Sequence, residues 1–206
     1  VWRREDSSFL CDQVLRGHTK SVRSVAIWNN TIVSGSEDTT VRVWEQALDS
    51  TTDFTCVRVL GGHTDFVQSV AIRENVIASG ADDATVRVWQ NSKLSVLEDH
   101  TDCIQSVAIV HGVKDSSGTL LVSGSDDKTI RVWQQKMETS DSMLQFTCTH
   151  VLQGHTEWVW SVAAQNILVA DLKPGQQVRL VGLSREDLNG QMGTIVSYRV
   201  DAGRFK

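Results

Sequence analysis

The chain has little of what breaks, crosslinks or anchors a strand. One proline, Pro174, occurs in 206 residues. Proline removes a ladder donor and is confined to sheet edges and bulges, so its scarcity leaves uninterrupted strands open almost throughout. No apolar run approaches the ~18 residues of a membrane-spanning helix, and nothing resembles a leader peptide. The four cysteines include no CxxC pair, which removes a common zinc spacing, and no other pattern calls for a metal or cofactor. Cys11, Cys56 and Cys148 each stand seven residues before a Gly-His-Thr histidine, His18, His63 and His155. Equivalent positions of successive units do not make natural disulfide partners. Free, buried or half-buried thiols in a reducing compartment, cytoplasmic or nuclear, are expected. Positive charge is also short, with 20 Lys and Arg against 25 Asp and Glu and a net charge of −5. Residues 171–206 hold six basic and four acidic side chains, which leaves residues 1–170 at about −7. That balance argues against nucleic acid as a partner. Asn29-Asn30-Thr31 is a formal glycosylation sequon, but turn chemistry explains its asparagines better.

What is present repeats. SGSEDTTVRVW ends at Trp44, SGADDATVRVW at Trp89 and SGSDDKTIRVW at Trp133, so the tryptophans stand 45 and 44 residues apart. His18, His63 and His100 precede these runs, each followed by Thr, and a fourth Gly-His-Thr stands at His155. A period of roughly 40–45 residues with this signature marks four-stranded propeller blades. Within each unit the apolar pattern has period two, as in strands. In the first unit, Ser21 to Ile27, Thr31 to Gly35, Thr40 to Glu45 and Phe54 to Leu60 are the expected strands. The units span about 17–45, 62–90, 99–134 and 154–170. The third departs from the pattern with Glu98-Asp99 before its histidine, where Asp99 is expected to take a left-handed backbone, and with an inserted loop from His111 to Thr119.

Residues 1–165 thus resemble the WD40 repeat family. The resemblance is carried by His18, Ser34, Asp38 and Trp44, by His63, Ser79, Asp83 and Trp89, and by His100, Ser123, Asp127 and Trp133. It implies that each set forms a buried hydrogen-bonded tetrad. The physical need is plain: a turn carboxylate taken out of water requires donors, and so does a buried indole its acceptor. Ser, His and Asp also suggest a hydrolase, but a catalytic triad occurs once per site. Here the set recurs at fixed offsets, Ser four before Asp and Trp six after it, so it is read as structural and the chain as no enzyme.

The fourth unit opens well through Trp158-Val159-Trp160-Ser161-Val162 and Asn166 to Ala170, then loses the tetrad. Residues 171–206 read instead as PGQQVRLVGL…LNGQMGTIV…GRF. This is similar to a small SH3-like barrel repeat overlapping the KOW pattern; a degenerate fourth blade and a splice or gene-model junction near Ala170 are the alternatives. The expected fold is all-β: a partial WD40 propeller of three full four-stranded blades and a partial one over 1–170, then an incomplete SH3-like segment over 171–206. Residue 1 is Val, placed where the third strand of a preceding blade would end, and the chain is read as a segment of a longer protein.

The WD40 resemblance implies function on the loop face. Its contact positions fall on Ser21, Arg23 and Glu37, on Phe66, Gln68 and Asp82, on Cys103, Gln105 and Asp126, and on Trp158 and Trp160. Aromatic anchors among acids suit a protein or peptide partner of basic character; neither a membrane nor a small-molecule substrate is expected. The leading expectation is a non-catalytic scaffold. The alternatives are the substrate-recognition subunit of a ubiquitin ligase, for which phosphate-reading arginines would be needed and only Arg23 stands in place, and a non-catalytic regulatory segment of a larger signalling enzyme. Nucleic-acid binding through the tail rests on the KOW likeness alone.

Overall fold

A computed structural model describes residues 1–5, 8–47, 53–111, 118–136 and 143–164. The readings of Ile167 to Ala170 as a strand and of 171–206 as an SH3-like unit lie outside the described residues. Among the described residues, fourteen strands follow in chain order: β1 Trp2–Glu5, β2 Ser8–Cys11, β3 Val22–Trp28, β4 Thr31–Ser36, β5 Val41–Gln46, β6 Phe54–Leu60, β7 Val67–Arg73, β8 Val76–Ala81, β9 Val86–Gln90, β10 Lys93–Leu97, β11 Ile104–His111, β12 Thr119–Ser125, β13 Ile130–Gln135 and β14 Phe146–Leu152. No helix occurs among the described residues, hence none long and apolar enough to cross a membrane.

Three four-stranded antiparallel sheets run β3 to β6, β7 to β10 and β11 to β14, each in sequence order. This is the all-β architecture of propeller blades. β1 and β2 form a separate pair, with Trp2 opposite Cys11 as Trp44 is opposite Cys56 and Trp133 opposite Cys148. They therefore correspond to the third and fourth strands of a blade.

Period two in the sequence becomes two buried faces in the fold. Val41 and Val43 are fully buried while Arg42 between them is half-buried. The core lies in the seams between sheets. One cluster joins Val33, Val41 and Val43 of the first sheet to Val67, Val70, Ile77 and Trp89 of the second. Another joins Val76, Ala78, Val86 and Val88 of the second to Ile104, Val107, Leu121 and Trp133 of the third. Burying each such side chain is worth about 1.5–3 kcal/mol relative to exposure.

Two devices fix each seam. The first is a glycine next to the last residue of the second strand, where a Cβ would crowd the next blade. At Gly35 it would meet Val67 at 2.6 Å and Val70 at 2.8 Å, and at Gly124 it would meet Val159 at 2.7 Å and Val162 at 2.9 Å. Gly80 lies still closer to Ile104. The second is a serine on the first strand, whose hydroxyl accepts an amide of the next blade. Ser24 takes Val70 N–H, Ser69 takes Val107 N–H and Ser106 takes Val162 N–H, all at 3.1 Å. Through Val159 and Val162, the start of the fourth unit seats on the third sheet as each sheet seats on the one before.

Two expectations need correction. Asp99 does not adopt a left-handed backbone, unlike Gly62 at φ 118° and Gly154 at φ 132°; its carboxylate instead lies 4.0 Å from the Arg131 guanidinium. The equivalent Arg87 packs beneath Gly62, so an acid can stand at this position by facing the arginine. The cysteines are free, but Cys11 and Cys56 are exposed and only Cys103 and Cys148 are partly covered. Cys11 on β2 and Cys56 on β6 face solvent from outer strands, whereas Cys148 on the outer strand β14 packs against the core.

Candidate functional site

Each blade carries one hydrogen-bonded column. In the first, His18 Nδ1–H donates to Asp38 at 2.8 Å and the Ser34 hydroxyl donates to His18 Nε2 at 2.8 Å. Trp44 Nε1–H closes the column on Ser34 Oγ at 2.9 Å. The second has His63 with Asp83 at 2.8 Å and Ser79 at 2.7 Å, with Trp89 edge-on to the imidazole at 6.3 Å between ring centroids. The third has His100 with Asp127 at 2.6 Å and Ser123 at 2.8 Å, and Trp133 on Ser123 at 2.8 Å.

A fifth member belongs to every column. Thr40, Thr85 and Thr129 donate their hydroxyls to the second carboxylate oxygen at 2.6, 2.8 and 2.6 Å. Sequence reasoning missed them, although Thr follows each tetrad Asp by two residues and is as regular as the Trp. The residue between Asp and Thr pays in backbone strain: Thr39, Ala84 and Lys128 sit at φ 69°, 62° and 69°.

Electrostatics follow from these donors. Burial works against the Asp127 charge, but hydrogen bonds from Thr129, His100 and Thr101 outweigh it and hold the carboxyl at about 2. Asp38 and Asp83 are lowered by the same balance. Burial lowers the pKa of His63 and His100 despite their carboxylate partners. For His63 and His100 burial thus favours the neutral ring, and the carboxylate facing Nδ1 favours the tautomer with its proton there.

The Ser–His–Asp distances are those of a hydrolytic triad, yet Ser79 and Ser123 are 0% exposed and Ser34 5%. No substrate carbonyl can reach these hydroxyls, and in the first and third blades the indole already occupies the oxygen.

The loop end presents the other candidates. Glu37 N–H donates to the Ser21 carbonyl, Asp82 N–H to Phe66 and Asp126 N–H to Cys103, at 3.0, 3.0 and 2.9 Å. These bonds bring the first-strand loop and the tetrad turn of each blade together. Within each pair the side chains also meet. Arg23 bridges Glu37 at 2.5 Å, Gln68 donates to both Asp82 oxygens at 3.1 and 2.9 Å, and Gln105 donates to Asp126 at 2.9 Å. Asp126 lies deeper than a solvated turn residue, 9% exposed. Burial and the Asp102, Asp82 and Asp127 charges raise its pKa despite Gln105. Burial, reinforced by the surrounding acids, pushes the Cys103 thiol up to about 12. The acidic field at this end is thus felt by its own groups. Asp102, Cys103 and Asp126 bring ligand atoms within 4.8 Å of one another, but acids so placed are ordinary on turns and carry no metal assignment.

The aromatic positions divide. Phe66 is half-buried, with Lys20 Nζ 5.3 Å from its ring centroid. Trp158 and Trp160 are 51% and 49% exposed and lie 5.6 Å apart in a tilted pair. Val159 between them is buried and donates its N–H to the Ser125 carbonyl at 3.0 Å, so the pair stands beside the third blade's turn. His155 is exposed, unlike His63 and His100.

Antiparallel four-stranded blades with this column define a WD-type β-propeller. The family model described as "WD domain, G-beta repeat" matches residues 9–45, 54–90, 91–134 and 146–170. The chain belongs to the WD40 family. Repeats of this family imply a protein-interaction scaffold, and the family is in general non-catalytic. The chain is similar to Cell division control protein 4 of Candida albicans, 62% identical over 32 residues, 16% of this chain and 5% of that protein. It is also similar to the crystal structure of the computationally designed Ika4 protein, with a TM-score of 0.55 and 28% identity over 74% of this chain and 85% of that one.

Proposed function

We propose that the loop end recruits a basic or amphipathic peptide segment of another protein, without chemistry. The exposed Trp158–Trp160 pair carries this reading. Two large aromatics side by side on a propeller's loop end are interface anchors in type, because they bury much area at little conformational cost. Glu37, Asp82, Asp102 and the exposed Asp65 surround the loops, opposed by Lys20 and Arg23, which favours a positively charged partner through steering. The whole of 1–170 is the repeat unit in this reading, and 171–206 a separate one.

Trp160→Ala should weaken binding of labelled Lys/Arg-rich amphipathic peptides at least tenfold in fluorescence polarisation, an anchor being worth about 2 kcal/mol or more. Charge reversal of Asp82 and Asp102 should mainly slow association, with the loss shrinking at high salt. Binding untouched by all three substitutions sinks the reading. A ubiquitin-ligase receptor that reads phosphate finds less support, since Arg23 is already engaged by Glu37.

A further inference from the structure

At the end of the blades away from the tetrad turns, the seams are filled unequally. In the first and third sheets a buried phenylalanine stands two residues before the cysteine that pairs with the tetrad tryptophan. Phe54 precedes Cys56 in this way, and Phe146 precedes Cys148. Phe146 and Leu144 join Ile109, Leu121 and, from the preceding sheet, Val76 in one apolar cluster. In the second sheet Trp89 pairs with Leu94, and the position two before it is Ser92. Asn91 and Ser92, at φ 49° and 64°, close β9 onto β10 as a two-residue turn, the type I′ geometry of short hairpins. That turn brings no aromatic back over the seam.

A cavity stands in its place. Ile72 and Ile77 hold the register positions of Ile109 and Leu121. Thr31 on the preceding sheet holds that of Val76. With Glu45, Arg58 and Ser92 they line a space of about 300 Å³, the small end of the range for ligand sites. Both walls are complete sheets, β3 to β6 and β7 to β10. Glu45 and Arg58 are exposed and give the mouth one charge of each sign. The seam before it shows how such a place is occupied. Gln13 stands two residues after its cysteine, as Arg58 does, and its amide donates to the Phe54 carbonyl at 2.9 Å and accepts the Phe54 N–H at 2.8 Å. A guanidinium only donates and a carboxylate only accepts, so Arg58 and Glu45 together offer what that one amide offers.

We propose that this cavity receives an aromatic side chain from an extended peptide segment of a partner protein, a phenylalanine supplied in trans where Ser92 leaves the seam unfilled. The ring lies on Ile72 and Ile77, Arg58 donates to a peptide carbonyl and Glu45 accepts a peptide N–H. Phenylalanine is the residue that fills the same position in the first and third sheets. The site is at the opposite end of the blades from Trp158 and Trp160 and is independent of the loop-end reading.

The probe is the pentapeptide MLQFT, residues 143–147 of this chain, which carries Leu144 and Phe146. Titrated into the isotopically labelled full chain, it should give saturable shifts of the Thr31, Ile77 and Ser92 amides in NMR spectra and leave the Trp158 and Trp160 indole signals in place. Phe146→Ala in the peptide should weaken binding about tenfold or more, the loss expected for an emptied aromatic anchor. Arg58→Glu in the chain should also weaken it, and the exposed position of Arg58 lets that variant fold. Absence of saturable shifts, indifference to either change, or shifts confined to Trp158 and Trp160 overturns the proposal. So does a dimer of the unmodified chain that Arg58→Glu abolishes, which would make the occupant a second copy.

Discussion

At the scale of single residues, the recurring column sets the energetics. Each tetrad carboxylate accepts from an imidazole, a hydroxyl and backbone amides at once; Asp83 takes His63, Thr85 and the Thr64 amide. Removing it leaves these donors buried without an acceptor. Asp83→Ala should therefore cost roughly 1–3 kcal/mol, read as a lower midpoint in urea unfolding; an unchanged midpoint would refute burial of the column. The turn residue after each Asp offers the opposite test. Thr39 is β-branched and held at φ 69°, where such residues are strained and glycine is not. Thr39→Gly should raise the midpoint slightly, by several tenths of a kcal/mol, since relief of strain exceeds the added chain entropy. The histidine, serine, aspartate and tryptophan were legible because they recur at fixed offsets. The threonine recurs just as regularly, but only the hydrogen-bond geometry shows that its hydroxyl, and not its β-propensity, is what the site uses.

At the scale of strands and sheets, the seams matter more than the sheets taken alone. The apolar clusters run from one sheet into the next, so a sheet by itself has no complete core. Gly80 is the sharpest test. A methyl there meets Ile104 closer than real Cβ contacts allow, with Val107 behind it at 3.1 Å. Gly80→Ala should destabilise by about 1–3 kcal/mol through overpacking, and a circular dichroism melt should show it. Trimming the partner with Ile104→Val should recover part of the loss, because the two sites share one contact. In the first unit, strand positions were readable from alternation to within a residue or two at their ends. The pairing of Arg23, Gln68 and Gln105 with the acid of their own blade was not, since it depends on the first strand and the turn meeting across a sheet end.

At the scale of the whole molecule, the columns act together on pH dependence. His63 and His100 have folded pKa values below the ordinary 6.5. As pH falls through 6.5, the unfolded chain takes up protons that the folded one refuses, and stability declines. Asp38, Asp83 and Asp127 lie below the ordinary 3.8, so a second decline follows as the unfolded carboxylates protonate. Asp126 is raised and has the opposite sign: its contribution is present at low pH and lost as pH rises through its folded value. One group opposes five. The melting temperature should thus fall between pH 7 and pH 5 and fall more steeply toward pH 3. A flat profile would mean that the histidines are not held neutral by burial.

The sequence by itself determined the repeat, its period, the strand alternation and the residue types of each column, because these depend on local spacing that a linear chain displays. It also determined where the pattern stops, after Ala170. Tertiary structure decided the rest. It placed Trp158 and Trp160 in solvent with Val159 buried between them, sank Asp126 beneath Gln105, and turned Asp99 toward Arg131 rather than into a left-handed turn. It also showed that Gly35, Gly80 and Gly124 are required by the blade that follows, not by the strand they occupy. Exposure, charge pairing and close approach are properties of surfaces brought together, and those surfaces come from residues 14 to 56 positions apart in the chain.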